Sequence, residues 1–159
     1  MNTLILHNAT LIDGTGADPR PGTSVLVEDG IIQRVASMEN MARPSEGKVI
    51  DLSGMTLMPG LTDAHVHFGA VGVNGLTDSS ADDNLTTYVI SVIENIELAL
   101  QEGFTTVRDA GGLDAAFARA TGQGLIKGPR ILPSGSPLSQ TGGHGDRRSR
   151  YDEEPIRSV

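Results

Sequence analysis

Over the first 58 residues, short apolar runs alternate with turn residues. Leu4-Ile5-Leu6, Thr10-Leu11-Ile12, Ser24-Val25-Leu26-Val27 and Ile31-Ile32-Gln33-Arg34-Val35 read as strands. They are rich in β-branched residues and bounded by Gly, Asp and Pro. Asp29-Gly30 between two such runs predicts a tight hairpin, since both central positions of that turn require positive φ. Val49-Ile50-Asp51-Leu52 and Met55-Thr56-Leu57-Met58 read as a further strand pair around Ser53-Gly54. The region is expected to form a small antiparallel β layer.

The rhythm changes at Pro59. Residues 61–66 are a short apolar run, read as a buried strand. Residues 68–84 are a Gly, Asn, Asp and Ser-rich stretch, read as a long loop of the kind that often carries function. Leu85, Val89, Val92, Ile93, Ile96 and Leu100 then recur at helical spacing, with Asn84 as N-cap and Gly103 as the stop. Phe104-Thr105-Thr106-Val107 predicts a second strand, residues 113–120 a short helix, and Arg130-Ile131-Leu132-Pro133 a third strand. Strand, helix, strand, helix, strand is a βαβαβ unit with a parallel sheet and right-handed crossovers.

Composition narrows the classes. The chain has 159 residues, no cysteine or tryptophan, and a formal charge of −8. It holds 20 glycines, about 13% against a usual value of about 7%, which favours turns over a helical bundle. Without cysteine there are no disulfides and no thiolate metal ligands. The acidic balance argues against a nucleic-acid surface. No apolar run approaches the roughly 18–20 residues of a membrane span, and the N-terminus lacks the pattern of a secretory leader. A cytoplasmic location is expected, with no membrane and no nucleic-acid partner.

Two of the four histidines lie in Asp63-Ala64-His65-Val66-His67. In a strand, alternate side chains share a face, so Asp63, His65 and His67 are expected to point the same way. Two imidazoles at the end of a strand can reach one cation, and imidazole suits zinc, iron or manganese. The spacing alone is a weak signal and favours two partly buried, hydrogen-bonded histidines over a ligand pair. His144 sits in the glycine-dense Gly142-Gly143-His144-Gly145, where the backbone can approach a ligand closely. Asp109 ends the second strand beside Gly111-Gly112, where it lines a site or caps a turn. His7 lies far from these motifs and reads as an ordinary side chain. Gly14-Thr15-Gly16 lacks the third glycine and the helix of a dinucleotide loop, and no Gly-x-Ser-x-Gly elbow is present. The mixed charges of residues 146–157 read as a solvated segment.

Met58-Pro59-Gly60-Leu61-Thr62-Asp63-Ala64-His65-Val66-His67 resembles the opening strand motif of the metal-dependent amidohydrolase superfamily. The likeness extends upstream through Asn8 to Gly14 and Val27 to Ile32, similar to the β-sandwich segment that precedes the barrel in many members. Downstream, Gly103-Phe104-Thr105-Thr106-Val107-Arg108-Asp109 is similar to the second barrel strand. Gly128-Pro129-Arg130-Ile131, Ser134-Gly135 and Thr141-Gly142-Gly143-His144-Gly145-Asp146 resemble the third strand and its loop. The set points to the imidazolonepropionase-like and prolidase-like branch.

The resemblance implies an α/β fold: a small, incomplete β-sandwich segment over residues 1–58, then the first three strands of a partial (β/α)₈ TIM barrel over residues 59–159. It implies His65 and His67 as ligands of a divalent metal, zinc above all, with one or two ions in the complete enzyme. A metal-activated water would attack a small amide or peptide at the C–N bond, as in dipeptidases and carboxypeptidases. Asp63 and Asp109 are expected to support the ligands or the strand ends, and His144 to contact substrate. The acid or base and the remaining ligands are expected beyond residue 159. A whole barrel needs about 250 residues. The chain is therefore expected to be the N-terminal portion of such an enzyme, inactive alone and completed by a C-terminal segment or an oligomeric partner. A deaminase or cyclic-amide hydrolase is the alternative among enzymes. A noncatalytic β-layer and half-barrel binding module is the alternative outside them.

Overall fold

A computed structural model describes residues 2–41, 46–70, 85–136, 138–141 and 143. The protein is mixed α/β. It separates into two compact units, Met1–Pro59 and Gly60–Val159.

The first unit is built on one five-stranded sheet. Strands β1 (Thr3–Leu11), β2 (Arg20–Glu28), β3 (Ile31–Ser37) and β4 (Lys48–Asp51) run in the order β3-β2-β1-β4, and β5 (Thr56–Leu57) also pairs with β1. The predicted hairpin forms between β2 and β3. Asp29 and Gly30 both take positive φ, 48° and 81°, the primed-turn geometry that the sheet twist favours. Ile5, Ala9, Leu11 and Val25 are buried, as are Thr23 and Ser24.

The layer departs from the expected antiparallel pattern in two ways. Leu4-Ile5-Leu6 and Thr10-Leu11 belong to one strand, broken by a bulge between Leu6 and Ala9. Asn8 adopts φ 59° there, and its N–H donates to Ser24 Oγ at 3.2 Å. The 49–52 and 55–58 runs do not form a pair of their own. Each lies parallel to β1, Ile5 opposite Val49 and Leu11 opposite Leu57.

The turn before β2 carries a titratable cluster. Thr15 donates its hydroxyl and its N–H to Asp13 Oδ1 at 2.6 and 3.0 Å, and Arg20 reaches Oδ2 at 3.0 Å. The Thr15 hydroxyl first, then its backbone N–H, hold the Asp13 carboxyl below its ordinary value, with a smaller contribution from Arg20. A depressed carboxylate stabilises the turn above the unfolded pKa of about 3.9, and that stabilisation is lost as pH falls through the folded value. Thr15→Val is expected to raise the Asp13 pKa toward the ordinary value in a ¹³C-carboxyl NMR titration. An unmoved titration would show that the hydroxyl contributes nothing.

The second unit begins with β6 (Leu61–Val66), followed by α1 (Leu85–Gln101), β7 (Phe104–Asp109), α2 (Ala115–Gly122) and β8 (Arg130–Pro133). The sheet order is β6-β7-β8 and both pairings are parallel, as the βαβαβ reading expects. Helix α1 stops at Gly103, whose φ of 95° suits only glycine comfortably. Its N–H closes the last turn on the Leu100 carbonyl at 3.0 Å. Asp114 caps α2, accepting from Ala116 N at 2.7 Å. The core joins Val92 and Ile96 of α1 to Val107 of β7 and Ile131 of β8, with Phe68 and Leu113 from the loops. Phe68 lies in the loop after β6, as expected, and is buried there. Leu85 and Leu100, expected on the buried stripe of α1, are exposed. The proposed N-cap Asn84 lies outside the described residues. Among the described residues no helix is long and apolar enough to cross a membrane.

Candidate metal centre

The expected strict alternation of Asp63, His65 and His67 is interrupted. Asp63 is registered with Val107 and Val66 with Asp109, so three steps of β6 span two of β7. This bulge puts Asp63 and Val66 on the same side of the sheet as buried Val107. Asp63 accepts the N–H of His65 at 2.9 Å, which fixes the bulged backbone. It also lines a cavity of about 330 Å³ with Val66, His67, Asn95, Leu98 and Glu102.

His65 and His67 flank Val66 and come together. Their Nε2 atoms lie 3.1 Å apart, with the rings edge to face at 76° and centroids 5.0 Å apart. His65 is exposed and His67 half-buried. The second nitrogen of His67 meets the Gly111 carbonyl oxygen at 3.2 Å. A carbonyl oxygen only accepts, so this contact is a hydrogen bond in the form of His67 that carries a proton on Nδ1.

The donor set fits a cation of zinc type as part of its coordination. Two ligands at about 2.0–2.1 Å in tetrahedral array lie roughly 3.3–3.4 Å apart, close to the separation of the two Nε2 atoms. Among the described residues no group of three or more His, Asp or Glu side chains converges on one point, so these two imidazoles are the converging donors.

Asp109 is fully buried. Oδ2 accepts the N–H of Phe68 at 2.8 Å, and Oδ1 accepts those of Gly111 and Leu113 at 3.1 and 3.4 Å. It caps two loops at once, the one leaving β6 and the one leaving β7. Reading Asp109 as a cap anticipated this bonding; its partners carry no sequence signature because they are backbone groups. The Gly111 carbonyl was missed for the same reason. His144 lies outside the described residues, as does the 146–157 charge cluster. His7 is in the first unit, its Nδ1 3.1 Å from Ser24 Oγ.

Residues 56–159 match the sequence profile described as the amidohydrolase family. The chain belongs to the amidohydrolase family. It is 35% identical over 153 residues to ochratoxinase of Aspergillus niger, covering 89% of this chain and 30% of that protein. A stretch of 54 residues is 43% identical to imidazolonepropionase of Brevibacillus brevis, covering 31% of this chain and 13% of that protein. A crystal structure of a prolidase complexed with N-methylphosphonate-L-proline superimposes with a TM-score of 0.85 at 36% identity, covering 97% of this chain and 37% of that one. The imidazolonepropionase-like and prolidase-like resemblance drawn from the strand motifs therefore holds for this family member. The chain spans about a third of the length of ochratoxinase and of the prolidase.

Proposed function

We propose that the chain carries the first part of a metal-dependent hydrolase that cleaves C–N bonds of small amide or peptide-like substrates. The observation that supports this most directly is the convergence of His65 and His67 Nε2 at 3.1 Å at the end of β6. We read residues 1–58 as the β-sandwich segment and residues 59–159 as the opening of a (β/α)₈ barrel. His65 and His67 would hold a divalent ion, zinc by preference for paired imidazoles without thiolates. Such an ion lowers the pKa of a water toward about 7 and polarises a carbonyl oxygen. The chain's own contribution is to aim the two imidazoles, with Asp63 fixing the backbone of His65 and the Asp109 loop backing His67. His144 would contact the substrate carbonyl or carboxylate.

The similarity to a prolidase and to ochratoxinase supports dipeptides and N-acyl amino acids as the substrate class. Two imidazoles do not complete a catalytic centre. Further ligands and the acid or base would come from a C-terminal segment or a partner copy, and the 159 residues by themselves would show no turnover.

The test is a panel of dipeptides, N-acyl amino acids and cyclic amides, assayed with zinc on this chain alone and on a longer polypeptide that contains it. Zinc-dependent cleavage of the first two classes by the longer polypeptide alone is the expected result. Preference for cyclic amides would move the reading to the alternative enzyme class. Zinc-independent turnover would overturn the reading.

A further inference from the structure

We propose that Asp109 is a positioning residue for His67: its buried carboxylate holds the Gly111 peptide so that the Gly111 carbonyl keeps the His67 proton on Nδ1 and leaves Nε2 bare.

A carboxylate with no solvent exposure must be matched by donors, and Asp109 takes three backbone N–H groups. Two of the three bear on His67. Phe68 follows His67 directly, so the bond to its N–H fixes the backbone just after the ring. The Gly111 N–H fixes the residue whose carbonyl faces the ring on its other side, 3.2 Å from Nδ1.

The next peptide is pinned as well. Its carbonyl, from Gly111, points to His67, and its N–H, from Gly112, donates to the Gly135 carbonyl at 3.1 Å. Gly112 sits at φ 96°, a conformation that other residues adopt only under strain. The strand ends add two more ties: Ala110 N–H to the Val66 carbonyl at 2.8 Å and Ser134 N–H to the Asp109 carbonyl at 3.1 Å.

An imidazole with two neutral tautomers is thereby reduced to one. A cation ligand needs the bare Nε2, and a loose ring would present it only part of the time. This consequence for the cation rests on the reading above; the tautomer itself does not.

The experiment reads both, separately. Two-bond ¹H–¹⁵N spectra in mildly alkaline, metal-free buffer report the His67 tautomer, and calorimetric titration with zinc reports affinity. Wild type is expected to show the Nδ1–H form. Asp109→Asn keeps the volume but puts a donor where an acceptor is needed. It is expected to show a mixture of tautomers and zinc affinity lower by about 10–100-fold, the usual effect of losing a supporting partner. Asp114→Ala removes the exposed cap of α2 and serves as a control for general loop destabilisation. It should leave the tautomer unchanged and the affinity within about twofold.

A wild-type His67 carrying its proton on Nε2 would overturn the proposal, even if Asp109→Asn fails to fold. So would an Asp109→Asn protein with unchanged tautomer and unchanged affinity. A tautomer that shifts in Asp109→Asn while no variant, wild type included, takes up zinc would support the positioning role and overturn the metal reading.

Discussion

Replacing His65 and His67 together by alanine is expected to abolish stoichiometric zinc uptake, read by equilibrium dialysis with metal analysis. The loss should exceed the about 10–100-fold that removing a mere supporting partner costs, because the converging donors themselves are gone. Each single variant leaves one imidazole and should weaken binding strongly without eliminating it. His7→Ala is the matched control. Its ring faces Ser24 Oγ in the first unit, and its removal should leave uptake unchanged. Folding is not expected to explain the result. His65 is exposed and His67 half-buried, and neither belongs to the buried core cluster. Equal uptake by the double variant and wild type would remove the basis for a metal centre at β6. The pair would then be what its bare spacing also allowed, two histidines hydrogen-bonded to each other.

Local chemistry made much of this fold legible. The Asp29-Gly30 turn demanded positive φ, and both residues adopt it. Gly103 ended α1 where the apolar period ran out, and the βαβαβ order followed from alternating patterns. What escaped the sequence was pairing between distant segments. Whether 49–51 pairs with its neighbour or with β1 depends on packing across some forty residues, and no local signal decides it. The bulge between Asp63 and Val66 contains no glycine or proline, so period-two counting carried straight through it. The candidate site divides along the same line. The two histidines are side chains at recognisable spacing. The groups that orient them are main-chain atoms of Phe68 and Gly111, which any residue could supply. Asp109 stood between these cases: its position at a strand end beside two glycines was visible, but its three donors appear only once the loops are folded.

Ile96→Ala is expected to destabilise the second unit by about 2–5 kcal/mol, toward the upper half of that range. Ile96 is fully buried in one apolar cluster with Val92, Phe68, Val107, Leu113 and Ile131. A cavity there has little means of collapse. Val107 and Ile131 are registered with each other across β7 and β8, and the chain facing Ile96 is Gly128, which has no side chain to move in. Leu98, half-exposed on the same helix, is the contrast, and Leu98→Ala should change stability by no more than about 0.5 kcal/mol. Urea midpoints at constant slope measure both.

Gly128 supplies a sharper test. A Cβ built there would overlap the Ile96 Cγ2 methyl, so Gly128→Ala alone overfills the core and should cost about 1–3 kcal/mol. In the Ile96→Ala background that methyl is absent and the new Cβ occupies part of the vacated space. The double variant should therefore be more stable than the sum of the two single costs allows, by at least about 0.5–1 kcal/mol. Strict additivity would mean that Gly128 is small for a reason other than the side chain lying against it.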